Sequence, residues 1–297
     1  MLDVRRLRLL RDLAQLGTIA AVAKAHTYTP SAVSQQLAVL EREAGVPLLE
    51  RTGRRVALTA AGVVLVRHAE TVLAALEGAS AALAEARGEL AGPLRIGAYP
   101  TAVRTLLPTA LVALGREHPG LELMVSELDP VAVPEALRER RLDVALIHDY
   151  DVMPVEPDRT LDAVPLLDET VFLATPSAAK ATKDPIADAR DAAWIVGSPG
   201  TVCHAVTLQL CRSAGFTPQV RHHADDFAAV LALVAAGQGV SLVPQLATAE
   251  APAGVHLIPL AARRRTRITY RQGASSHPAI AAFTTAIREA TNQYLKG

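Results

Sequence analysis

An α/β chain with an all-helical, winged N-terminal domain is the fold class this sequence predicts, and three observations point to it. Helix-sized segments and a basic hairpin fill residues 1–59. A continuous helical pattern runs over residues 60–91. From Leu94 onward short apolar strands alternate with helices, as in crossover-linked sheets.

The N-terminal elements follow one another closely. Helix Leu2–Leu16 carries a stripe of Leu7, Leu10 and Ala14. Thr18 follows Gly17 and N-caps Ile19–Ala25. Thr29-Pro30 opens the next helix, with a hydroxyl at the N-cap and proline at the first position. Helix Pro30–Ala44 stops before Gly45, a residue suited to a left-handed end. Val33, Leu37, Leu40 and Ala44 form its buried stripe. Ser31, Ser34, Gln35 and Ala38 form the opposite, small and polar face. Arg51, Arg54 and Arg55 surround the turn Thr52-Gly53.

Two helices, a tight turn and a basic hairpin make a winged helix-turn-helix, which lays one helix in the DNA major groove. Thr29, Pro30, Ser31, Ser34 and Gln35 then meet bases and phosphates. Arg51, Arg54 and Arg55 suit phosphates or the minor groove. A solvated helix pair with an arginine hairpin satisfies the same pattern. Charge favours DNA: residues 1–60 hold nine Lys/Arg and five Asp/Glu, a net of +4 in a chain whose total is zero.

Thr59 caps a helical stretch Ala60–Leu90, about 45 Å long at 1.5 Å per residue. Ala69, Val72, Leu76, Ala79, Leu83, Ala86 and Leu90 step alternately by three and four. Such a seam on an exposed helix suits a partner helix, and Val72, Leu76, Leu83 and Leu90 are its large residues. Packing within its own domain is the alternative. Gly92-Pro93 breaks the helix.

Residues 92–297 read as strand Leu94–Ala98, helix Thr101–Glu117, strand Leu121–Val125, helix Val133–Arg140 and strand Asp143–Ile147. A second series follows, through strands Thr170–Ala174 and Ala193–Val196, helix Thr201–Ala214, strand Gln219–His223, helix Asp226–Ala236 and strand Gly239–Val243. The chain returns through Val255–Pro259 and Arg267–Arg271 to helix His277–Leu295. Near-continuous apolar strands with crossovers imply parallel sheet. Two α/β lobes joined near Ala163–Leu166 and Leu260–Arg267 leave a cleft: lobe I about 92–163 and 266–297, lobe II about 164–265.

Ligands in such folds bind beyond strand ends, often at helix N-termini. Tyr99, Pro100, Thr101, His148, Gly200, Thr201, Val202 and Phe227 occupy those places. Free amides there favour a carboxylate, while Asp149, Asp225 and Asp226 work against an anion. Plain capping explains Thr101 and Thr201 equally well. Protonated His148 would add a charge-assisted bond as pH falls through about 6.5.

The run Gly17-Thr-Ile-Ala-Ala-Val-Ala, then Thr29-Pro-Ser-Ala-Val-Ser-Gln-Gln-Leu, Leu40-Glu, Gly45-Val-Pro-Leu-Leu-Glu-Arg and Leu58-Thr-Ala-Ala-Gly62 resembles the N-terminal domain of LysR-type transcriptional regulators. The resemblance covers all 297 residues. It implies a DNA-binding domain at 1–59, a dimerisation linker helix at 60–91 and a two-lobed effector domain at 92–297, similar to periplasmic solute-binding proteins. It implies double-stranded operator DNA, a small-molecule effector, a second copy in a dimer or tetramer, and RNA polymerase as partners. Thr101, seven residues before Pro108, takes the place of a common effector-binding hydroxyl. The second such place falls near Asp129-Pro130. His26 stands where the family usually has leucine, so a buried histidine there needs a partner. Gln35 stands where the family often has arginine, so base preference does not transfer.

Other classes fare less well. No Gly-x-Ser-x-Gly, phosphate-binding glycine loop or His-Glu-x-x-His occurs, so an enzyme is not expected. Cys203 and Cys211 lack metal-ligand spacing, so no metal or cofactor is expected. No membrane span or signal peptide is read, which points to a cytoplasmic protein with no membrane partner. Two alternatives remain. One is a thiol-based redox-sensing regulator using Cys203 and Cys211, with the first cysteine displaced by a residue from the sensor spacing. The other is a solute-binding protein or enzyme with an incidental N-terminal helix pair.

Overall fold

Asp3 starts helix α1 (Val4–Leu16), its carboxylate accepting from the Arg5 and Arg6 amides at 2.8 and 3.2 Å. Thr18 caps α2 (Ile19–Ala25) through the Ala21 amide, and Thr29 caps α3 (Pro30–Ala44) through the Ala32 amide. Gly17 and Gly45 close α1 and α3 in the left-handed conformation, at φ +73° and +70°. The computed structural model describes residues 1–52, 55–86, 90–176, 183–249 and 251–296, and for 51, 52 and 55 the strand position alone.

Leu7, Leu10, Val33, Leu37 and Leu40 share one buried core with Val22 and Val66. Ala14 does not join it. It is exposed, and Leu9 and Leu13 are buried instead. Helix α1 packs on both α3 and α4 (Ala60–Ala86), so its buried face is wider than one stripe.

Strands β1 (Leu49–Thr52) and β2 (Arg55–Leu58) pair antiparallel as the wing. Glu41 Oε1 accepts from the Leu48 and Leu49 amides at 2.9 and 3.0 Å, tying the wing to α3. Thr59 closes the wing's other end by donating to the Pro47 carbonyl at 2.8 Å. A Cβ at Gly62 would lie 2.2 Å from the Leu48 carbonyl oxygen, so α4 passes the hairpin only with glycine there.

Helix α4 is described to Ala86, short of the expected Leu90, which lies outside any helix. Gly92, at φ +94°, and Pro93 turn the chain into β3 (Gly92–Ala98). The chain forms two compact units, Met1–Gly88 with Arg271–His277, and Glu89–Tyr270 with Pro278–Gly297.

The second unit runs α5 (Pro100–Thr105), α6 (Leu107–Glu117), β4 (Leu121–Glu127), α7 (Val133–Arg138) and β5 (Val144–Tyr150). It continues through β6 (Leu161–Thr175), α8 (Pro185–Asp188), β7 (Ala193–Val196), α9 (Val202–Ser213) and β8 (Gln219–His223). Then come α10 (Phe227–Ala235), β9 (Ser241–Pro244), β10 (His256–Arg271) and α11 (Pro278–Tyr294). The expected helix Thr101–Glu117 is two helices. Pro108 has no N–H, and its ring opposes the carbonyl of Arg104, so the helix breaks at Leu106.

The main sheet has six strands in the order β4-β3-β5-β10-β6-β9. It is mixed rather than parallel. β3 runs parallel to β4 and β5, whereas β10 is antiparallel to β5 and β9 is antiparallel to β6. Short returning strands were expected, but β6 and β10 are long. Ala163–Leu166 lies inside β6 and Leu260–Arg267 inside β10. Extended backbone within a sheet keeps its amides and carbonyls paired, so the crossings need no loop. β7 and β8 form a separate parallel pair. Among the described residues no helix is long and apolar enough to cross a membrane.

Candidate functional site

A cavity of about 210 Å³ opens in the second unit, where β3, β5, β7, α9, α10 and β10 converge. Tyr99, Pro100, Thr101, His148, Thr201 and Phe227 line it. Gly200 and Val202 do not. Gly200 is exposed on its turn, and Val202 packs against a neighbouring apolar core. Asp129 and Asp225, which the sequence places beside the site, line it too, and so do Cys203 and Arg264, which the sequence does not mark for it.

Arg264 is the main addition. Its side chain is fully buried on β10, with Nε donating to Glu169 Oε1 at 2.7 Å. The guanidinium lies over the Tyr99 ring, 4.9 Å from the centroid. Nη1 and Nη2 are buried with no hydrogen-bond partner. Strand alternation carried the missed signal. Ile268 and Tyr270 are plain core residues, and stepping back by twos through Thr266 reaches Arg264 on the same face.

His148 sits inside β5 rather than in a loop beyond it. It packs edge-on against Tyr99 and Tyr150, at centroid distances of 4.7 and 5.5 Å. Burial, reinforced by the Arg264 charge, holds its pKa well below 6.5. The imidazole is therefore neutral where it was expected to protonate. Its Nδ1 is buried without a partner.

The hydroxyls divide by role. Thr201 Oγ1 donates to the Ser198 carbonyl at 2.8 Å and accepts from the His204 amide at 3.3 Å, so it serves as the cap of α9. Thr101 is buried in the first turn of α5. Tyr99 Oη bonds Thr266 Oγ1 at 2.7 Å. The acids expected to repel an anion are engaged. Asp149 pairs with Arg267 at 3.2 Å, and Asp226 with Arg104 at 3.3 Å while capping α10. Asp225 accepts from the Ser198 amide and hydroxyl at 2.7 and 2.6 Å.

Cys203 Sγ lies 3.6 Å from Tyr150 Oη, and burial pushes its thiol up. Cys211 is fully buried, and burial raises it to about 12. Among the described residues no cluster of three or more His, Cys, Asp or Glu could hold a metal ion.

In the first unit, Thr29, Pro30, Ser31, Ser34 and Gln35 are all exposed on one end of α3. Ser34 Oγ donates to the Pro30 carbonyl at 2.9 Å. Arg51 and Arg55 fall on β1 and β2 without described side chains, and Arg54 lies outside the described residues. His26 finds its partner in Asp12, Nε2 to Oδ2 at 2.6 Å, and Asp12 also accepts from Arg11 Nε at 2.7 Å. On α4, Val72, Leu76 and Leu83 are exposed. Ala69 is buried in the helical core, so the exposed seam begins at Val72.

Residues 4–63 match the family described as bacterial regulatory helix-turn-helix protein, lysR family, and residues 87–292 match LysR substrate binding domain. The transcriptional dual regulator GltC of Bacillus subtilis is 30% identical over 254 residues, 84% of this chain and 83% of that protein. A probable hydrogen peroxide-inducible genes activator of Mycobacterium avium is 33% identical over 245 residues, covering 81% and 77%. Among solved structures, a hydrogen peroxide-bound cysteine-to-serine mutant of Corynebacterium glutamicum OxyR aligns at a TM-score of 0.60. It is 27% identical and covers 100% of this chain and 94% of that one. The chain belongs to the LysR-type transcriptional regulators. It is a DNA-binding regulator with a helix-turn-helix domain and an effector domain.

Proposed function

We propose that a small organic acid, bound between two α/β lobes, controls this regulator's grip on DNA. The organisation in this reading is a DNA-binding domain at 1–59, a linker helix at 60–91 and an effector domain at 92–297. Lobe I takes about 92–163 and 266–297, and lobe II about 164–265. The observation that carries the reading is the Arg264 guanidinium, buried at the cavity with two N–H-bearing nitrogens lacking an acceptor. Buried donors without partners are costly, and the two oxygens of a carboxylate satisfy both at once. Tyr99, Thr101, His148 and Phe227 complete the pocket.

On the DNA side, Ser34 and Gln35 reach base edges, while Arg51, Arg54 and Arg55 hold phosphates. Val72, Leu76 and Leu83 pair subunits, which suits two half-sites. The effector shifts occupancy, or contact with RNA polymerase, only through different affinity for two conformations. The protein acts in the cytoplasm, where its DNA lies.

The relatives named as hydrogen peroxide-inducible activators raise a thiol reading on Cys203 and Cys211. Both thiols are held up by burial, which disfavours the reactive thiolate. Both sit on α9, and eight helical residues separate Cα atoms by about 12 Å, beyond disulfide reach.

Footprinting on the DNA upstream of the protein's own coding region, across a metabolite panel, tests the reading. The expected result is a footprint whose extent changes with one organic acid. A footprint blind to every acid, but altered by hydrogen peroxide and restored by a thiol reductant, favours the thiol reading instead.

A further inference from the structure

The cavity is bipolar. One wall is cationic: Arg264 lends Nε to Glu169 and leaves Nη1 and Nη2 without an acceptor. A planar fork in a desolvated place fits a carboxylate bound through both oxygens. The other wall is acidic. Asp129 accepts from the Val131 amide at 3.0 Å and from the Val202 amide, and Asp225 from the Ser198 amide and hydroxyl. Among the described residues neither has a cationic partner.

Burial, with the Asp225 charge added to it, pushes the Asp129 carboxyl up. A cation placed there would relieve both effects. Arg264, Asp129 and Asp225 line one cavity of about 210 Å³, with Cys203 on the same lining, so one small molecule can span the two walls. Leu128, Val196, Phe227 and Leu242 add apolar surface beside them.

We propose, building on the inter-lobe reading, that the effector is a zwitterion of the amino acid class. Its carboxylate sits on the Arg264 fork, its ammonium group faces Asp129 and Asp225, and its side group packs on Phe227 and Leu242. The apolar lining selects among amino acids, and the two walls select the class.

Calorimetry of the full-length protein against the twenty standard L-amino acids tests this. For each binder, the same skeleton without its amine and without its carboxylate is run alongside. The expected result is an amino acid that binds about tenfold or more tightly than either truncated form. Asp129→Asn, at the half-buried rim, should erase the preference for the amino acid over its amine-free acid. Arg264→Gln should weaken both acids by about thirtyfold. Equal binding of amino acids and amine-free acids to the unaltered protein overturns the zwitterion and leaves the organic-acid reading standing. Binding of an acid from the wider panel, with no amino acid bound, does the same. If no acid of any kind binds, both fall.

Discussion

Arg264 and Glu169 form an ion pair shut away from solvent, Nε to Oε1 at 2.7 Å, with side chains 0% and 2% exposed. Glu169 uses its second oxygen to accept from the Leu246 amide at 2.6 Å. Burial works to lower the guanidinium's pKa, and the Glu169 charge, together with Tyr99, Tyr150 and Cys203, more than reverses it. The pair thus keeps a full positive charge at the cavity. Glu169→Gln preserves size and removes the compensating charge. It should destabilise the fold by about 3–5 kcal/mol in urea titration, because a buried cation is left alone. A loss below about 1 kcal/mol would show that solvent reaches the site.

His148 gives a pH signature of its own. Its folded pKa lies well below 6.5, so below that pH the unfolded chain takes up a proton that the folded chain refuses. Stability should fall as pH drops from about 6.5 toward the folded value, at up to about 1.4 kcal/mol per pH unit. His148→Gln should remove that component of the slope. Urea unfolding at pH 7.5 and 5.5 on both proteins measures it. Effector affinity should stay flat through pH 6.5, since His148 does not charge there.

At the DNA surface, base reading and phosphate binding separate cleanly. Gln35→Ala should change the ranking of operator variants. Arg54→Ala should weaken every site alike and flatten the salt slope by about one unit. Gel-shift titrations over a salt series read both. Wild-type affinity of Gln35→Ala for every variant defeats the assignment.

The exposed seam of α4 should hold subunits together. Leu76→Glu combined with Leu83→Glu puts charges on an apolar face and should dissociate the oligomer. Sedimentation decides. An unchanged oligomer with unchanged operator affinity means that these leucines pack elsewhere.

The helical domain was legible because its signals are local. Caps at Thr18 and Thr29, terminators at Gly17 and Gly45, and the Val33-Leu37-Leu40 stripe each act within a few residues. The long strands were not legible. Ala163–Leu166 and Leu260–Arg267 read as crossings between short strands, yet both lie within continuous strands whose pairing comes from distant sequence. The cavity was half legible. Strand-end positions such as Thr101 and His148 announce themselves by place. Arg264 was hidden in the run Arg263-Arg264-Arg265, where only the alternation of β10 distinguishes the buried arginine from its more exposed neighbours. Asp12, the partner of His26, lies 14 residues away, one turn from nothing that marks it in sequence.

The crystal structure of the protein with its identified effector tests the inter-lobe site most directly. The effector's acid group should lie against Arg264 Nη1 and Nη2, within hydrogen-bond distance, with Thr101 and His148 in contact. An effector bound anywhere else, with the Arg264 cavity empty, contradicts the account.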